Sequence, residues 1–260
     1  MNPEVVPQLD ALPSPPPPPK RDPAWGYIEI AAVVGIFFLS LVLCAVTGFA
    51  IARALLPGMP AGRVATNPLF FVPVQFGAYI LTYVISRLML TVKAGEPFWQ
   101  AIRWHMPPAR IAAACAGLGV MLAFLVQLLS AVLPFPKSLP MHEYFREIGF
   151  AYMMAAFAIL VAPLAEEVFF RGLVFPVLVR SMGQVAAIIV TGATFSLMHR
   201  TQLAWAWAPL LVLFGVGTML TLIRARTNSV AASWIVHVAY NSTLFASIYY
   251  FSNGFRNLAR

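Results

Sequence analysis

Long runs without charge limit what this chain can fold into. Residues 30–52, between Glu29 and Arg53, contain no charged side chain. At about 1.5 Å per residue, a helix of that length crosses a hydrocarbon core about 30 Å thick. Backbone groups in lipid must pair within their own segment, so the run reads as a transmembrane helix. Further apolar runs fall at 64–86, 111–136, 149–179, 184–199, 203–223 and 229–251. The expected fold is all-α, a polytopic transmembrane helix bundle of about seven or eight spans. Pro68 and Pro73 are expected to kink the second run. The fourth run would be about 45 Å long as a helix, so it must tilt, bend near Pro163 or Pro176, or stop early.

Composition agrees. The chain is 60% hydrophobic and 10% charged, with a mean hydropathy of +0.80. Soluble domains are typically about 25% charged. The net charge of +8 is therefore explained by arginines at helix ends and not by a nucleic-acid-binding face. Cys44 and Cys115 each lie in an apolar run and read as small buried hydrophobes, not as a disulfide or a metal site. The first residues are polar, and the first apolar run starts too late and runs too long for a signal peptide. Residues 1–26 form a proline-rich tail, with PSPPPPPK at 13–20 favouring an extended polyproline rod. Trp25 and Tyr27 follow where an interfacial aromatic belt is expected. The loop 87–110 holds Arg87, Lys93, Arg103 and Arg110, the densest basic cluster, which puts that loop and the N-terminus in the cytoplasm.

Against this apolar background, a few polar residues stand out. Glu166, Glu167 and Arg171 interrupt the fourth run, His199 ends the fifth, and His237 and Asn241 lie in the last. A charge at mid-bilayer costs roughly 2.5–3.5 kcal/mol on insertion scales, so such residues face a bundle interior. Glu167 and Arg171 are four apart on one helix face, in the favourable order for an ion pair. Glu167 is thus expected to serve mainly to neutralise Arg171. Glu166 points about 100° away and needs a partner from another helix, with His199 and His237 as candidates. Phe195 shares a face with His199, and His237 with Asn241.

These groups suffice for peptide hydrolysis by activated water. A desolvated carboxylate can take a proton from water and return it, an imidazole can orient the water, and a second imidazole with an amide can hold an oxyanion. Two other readings stand beside this one: a structural polar lock between helices and a proton-relay transport path. Ser196 beside His199 lacks the Gly-x-Ser-x-Gly elbow of a serine hydrolase. His142-Glu143 begins an HExxH-like run, but Arg146 occupies the second ligand position and the motif fails. His105 reads as a solvated loop residue.

Three motifs in order, Glu166-Glu167-x-x-x-Arg171, Phe195-x-x-x-His199 and His237-x-x-x-Asn241, resemble the CPBP (Abi) family. That family comprises type II CAAX prenyl endoproteases, bacteriocin-processing and bacteriocin-immunity proteins. Phe170-Arg171-Gly172 also looks like the family's ending of its first motif. The resemblance covers about residues 110–250. It implies an intramembrane endopeptidase domain at 107–253, preceded by N-terminal spans at 27–106. It implies Glu166 as general base, His199 as water-positioning residue, His237 and Asn241 as the oxyanion pair, and Glu167, Arg171 and Phe195 in support. The cofactor it implies is either one divalent metal, zinc, on His199, His237 and Glu166, or none. Partners are a peptide or membrane-protein substrate and the lipid bilayer, with no nucleic acid. The expected location is a bacterial inner membrane. Within the same resemblance, a non-catalytic immunity or scaffold protein is the alternative.

Overall fold

The computed structural model describes residues 22–58, 60–136, 140 and 148–256. The proline-rich run at 13–20 and the His142-Glu143 pair lie outside the described residues. Within them the protein is an all-α membrane bundle. The long helices are α1 (Tyr27–Leu55), α3 (Pro68–Ala94), α5 (Ala109–Val132), α6 (Ile148–Met182), α7 (Gln184–Met198), α8 (Trp207–Thr227) and α9 (Val230–Phe251). Two short helices, α2 (Ala61–Thr66) and α4 (Phe98–Ala101), lie in the connections flanking α3.

Five of these helices, α1, α3, α5, α6 and α8, are long and apolar enough to cross a membrane. α7 is apolar but has only 15 residues. α9 has 22 residues, and His237 and Asn241 lower its hydropathy. Pro68 does not kink the second run. It opens α3 in its first turn, and Asn67 Oδ1 caps the helix by accepting from Leu69 N at 2.9 Å.

In α6 the excess length is absorbed by two π-helical segments, Phe157–Val161 and Val168–Val174, with a single α-turn, Ala162–Glu167, between them. Pro163 sits in that turn and Pro176 just beyond the second segment. The run therefore does not stop early, and a π-segment adjoins each of the two prolines. Such segments insert an extra residue per turn and re-aim the side chains that follow.

One end of the bundle is tied together by contacts from the residues before α1 and in its first turn. Arg103 pairs with Asp22 at 2.8 Å, and Arg180 Nη1 donates to the Pro23 carbonyl at 2.6 Å. Lys93 pairs with Glu29. Trp25 is not an interfacial side chain as expected. It is 2% exposed, and its indole N–H donates to the Leu173 carbonyl at 3.0 Å. It packs with Val33, Leu90, Phe98, Ile102 and Val177 in a core cluster under this end. At the same end Ser229 Oγ donates to the His105 carbonyl at 2.5 Å, so the His105 backbone anchors the start of α9. Both cysteines are free thiols.

Small residues let the inner helices approach closely, as membrane packing requires. A Cβ built on Gly119 of α5 would lie 2.4 Å from the Val236 carbonyl of α9. α7 and α8 meet at Gly192 and Gly217, where a Cβ on Gly217 would lie 2.9 Å from the Phe195 ring. Gly119→Ala is expected to lower stability by about 1–3 kcal/mol, because backbone cannot yield as a side chain can. Thermal unfolding in detergent checks this, with Gly117→Ala, which meets nothing within 4 Å, as the comparison.

Candidate active site

Arg171 organises the centre of the bundle. Its side chain and that of Glu167 are fully buried, joined by Nη1 to Oε1 at 2.9 Å. The remaining guanidinium donors leave the helix. Nη2 donates to the Gly217 carbonyl at 2.8 Å, and Nε donates to Thr221 Oγ1 at 3.2 Å. The Phe195 ring lies 4.7 Å from the guanidinium carbon, so the cation is also held over an aromatic face. α6, α7 and α8 therefore converge on one charge.

Glu167 does more than neutralise Arg171. The same Oε1 atom lies 2.9 Å from His237 Nδ1. A carboxylate already accepting from Arg171 requires a donor here, so His237 carries its proton on Nδ1. His199 is fixed in the same sense: its Nδ1 lies 2.8 Å from the Phe195 carbonyl, and a carbonyl can only accept. In the neutral form of each ring the bare nitrogen is then Nε2.

Both Nε2 atoms face Glu166. His199 Nε2 lies 3.8 Å from Glu166 Oε1, and His237 Nε2 lies 3.8 Å from Oε2. Glu166 thus has both candidate partners, one on each oxygen. These gaps are too long for direct hydrogen bonds, and three acceptors facing each other need a shared source of protons. Phe195 packs against both rings, with centroids 4.8 Å from His199 and 5.8 Å from His237. It also touches the Arg171 guanidinium, so one ring contacts all three side chains. Glu166 and His199 keep about a fifth of their side-chain surface exposed, whereas His237 keeps 5%. The site is therefore open on the side of Glu166 and His199.

Asn241 lies one helical turn from His237 but is engaged elsewhere. Its Nδ2 donates to the Ala158 carbonyl of α6 at 2.7 Å, which leaves its second N–H free. Residues outside the three motifs also belong to the arrangement. Gly217 and Thr221 hold Arg171, and Arg224 Nε donates to the Arg171 carbonyl at 3.2 Å. In sequence, the only signal for them is a threonine and an arginine inside an apolar helix.

The donor types of Glu166, His199 and His237 match a His₂Glu zinc set. Two ligands on one tetrahedral zinc, however, stand about 3.3–3.5 Å apart, and both gaps here are wider. Among the described residues, no group of three His, Cys, Asp or Glu side chains is arranged to hold a metal ion.

The family model for type II CAAX prenyl endopeptidase, Rce1-like, matches residues 148–243. This stretch is Rce1-like. It runs from the start of α6 into α9 and includes every residue of the three motifs, so the resemblance read from them is borne out. At the coarse level the match supports a protease, and with the apolar helices it makes the chain a multi-pass membrane protein. Comparison with curated proteins and with solved structures returned no match.

Arg171→Met leaves Glu167 charged and buried beside His237. It is expected to cost about 3–5 kcal/mol and to show as lost expression or a lower unfolding temperature. Thr221→Val removes one acceptor of Arg171 and should cost only about 1 kcal/mol in the same measurement.

Proposed function

We propose that the protein is an intramembrane endopeptidase that hydrolyses peptide bonds with water activated by Glu166. The observation that carries this reading is the pair of 3.8 Å gaps between Glu166 and two imidazole Nε2 atoms whose Nδ1 positions are both fixed. A water lodged there donates one hydrogen bond to Glu166 and one to His199 Nε2, which turns its lone pair outward. As that oxygen attacks the substrate carbonyl, Glu166 takes the proton and later returns it to the leaving amine.

The carbonyl oxygen gains a full charge in the tetrahedral intermediate. Its stabilisation falls to His237 and the unused N–H of Asn241. To donate to the oxyanion from Nε2, His237 takes up a proton from solvent before the attack, and Glu167 on Nδ1 balances that imidazolium. Glu167 thus has two cationic neighbours, Arg171 and protonated His237. This explains why a second carboxylate directly follows the base. Phe195 packs against both imidazoles and the guanidinium and so holds their relative positions. Glu166, His199 and His237 remain suitable in type for a divalent metal, but no step above passes through one.

The substrate is a peptide or protein segment that reaches the bilayer, including a prenylated or leader-type chain. We place the basic end of the bundle, with Arg103 and Arg180, and the N-terminus on the cytoplasmic side of a bacterial inner membrane.

In lipid vesicles with a library of membrane-tethered peptides, Glu166→Gln is expected to lower turnover by at least about 10³-fold without altering the folded state. His199→Ala and His237→Ala should each cost about 10²-fold or more. Cleavage by Glu166→Gln at the wild-type rate overturns the assignment of the base. Peptide binding without cleavage by the wild type points instead to a non-catalytic member of the same fold.

A further inference from the structure

The helix that carries Glu166 contains the same gap twice. In its first π-helical segment, the Ala162 N–H bonds the Phe157 carbonyl. The residue five beyond Ala158 is Pro163, which has no N–H. The Ala158 carbonyl is thus left without either of the donors its own helix could offer. In the second segment the Phe175 N–H bonds the Phe170 carbonyl. Five beyond Arg171 is Pro176, so the Arg171 carbonyl is left in the same position.

Each gap is filled by a side chain from another helix. Asn241 of α9 donates to the Ala158 carbonyl at 2.7 Å, and Arg224 of α8 donates to the Arg171 carbonyl at 3.2 Å. An unpaired carbonyl in an apolar interior is costly, so both bonds are strongly favoured over an open helix. The two filled carbonyls flank the α-turn Ala162–Glu167, one before it and one after it.

We propose that Arg224 is a positioning residue for Glu166 and Glu167. By bonding the Arg171 carbonyl it fixes the rotation of α6 about its axis, and so the directions in which the two carboxylates point. Arg224 is built to hold that place. It is 5% exposed, and its Nη1 donates to Asn228 Oδ1 at 2.9 Å. Asn228 closes α8 in the left-handed conformation, φ 51°, so the guanidinium is anchored to the turn between α8 and α9. Its fork lets Nε and Nη1 act at once, which a lysine ammonium cannot reproduce. Arg224 touches neither Glu166 nor the histidines, so it acts through the backbone of α6. Asn241 works the same way at the other gap, in addition to the role proposed for its second N–H.

Pro176→Ala restores the missing N–H and supplies the carbonyl from within the helix, so it should compensate for loss of Arg224. The full-length chain, labelled with ¹⁵N-histidine in detergent micelles, reports His237 Nδ1 through its bond to Glu167; the His237→Ala spectrum assigns the signal. Arg224→Met is expected to shift or broaden that signal, and Arg224→Met with Pro176→Ala to return it to the wild-type position. The same variants report on cleavage, which rests on the protease reading. Arg224→Met should lower kcat about tenfold with KM within about twofold, and the double variant should recover to within about threefold of wild type. If Arg224→Met does not fold, Arg224→Lys replaces it with the same expected rescue. A wild-type His237 signal in folded Arg224→Met, or a shift that Pro176→Ala does not reverse, overturns the proposal. If the wild type cleaves no peptide, the protease reading fails, while the histidine spectrum still decides the role of Arg224.

Discussion

A guanidinium in the middle of a membrane bundle is stable only if its charge and its nitrogens find partners, and Arg171 finds them on three helices. Glu167 on its own helix neutralises the charge, while the Gly217 carbonyl and Thr221 on α8 accept from the other two nitrogens. Phe195 on α7 closes the apolar side. Each of these neighbours is then placed for something else. Glu167 fixes the tautomer of His237, and Phe195 packs against both imidazoles. The polar site is thus assembled around a charge that the proposed chemistry itself does not use.

The close approach of α7 and α8 follows from the same centre. Gly217 offers its carbonyl to Arg171 and has no side chain to hold Gly192 away. A larger residue at either glycine would push the helices apart and move Phe195 with them. Gly119 plays the corresponding part between α5 and α9, the helix that carries His237. Packing and electrostatics therefore constrain the same few positions.

Much of this was legible in the chain. The i, i+4 spacing of Glu167 and Arg171 gave their ion pair, because that pair depends only on local helix geometry. The roughly 100° between Glu166 and its neighbour Glu167 leaves Glu166 to find a partner on another helix, with His199 and His237 as the candidates. What periodicity could not give was the phase of α6 across its two π-segments. An assumed 3.6-residue repeat places Glu166 correctly only relative to its immediate neighbours. Asn241 illustrates the limit: its spacing joins it to His237, but its amide reaches a carbonyl that Pro163 leaves free. Trp25 was misread for a related reason. An aromatic residue before a span normally sits in the interface, and only a carbonyl 148 residues away draws this one inside.

Trp25 also bears on how much of the chain constitutes a working unit. Its indole and the apolar cluster around it cover the end of the second π-segment, two residues from Arg171. The Rce1-like stretch at 148–243 is therefore not self-contained. Cut free of the residues before 148, it would present the Leu173 carbonyl and the faces of Leu173 and Val177 to lipid or water. Recognisable motifs and autonomy of folding part company here: the stretch that carries the signature borrows a wall from residues that carry none.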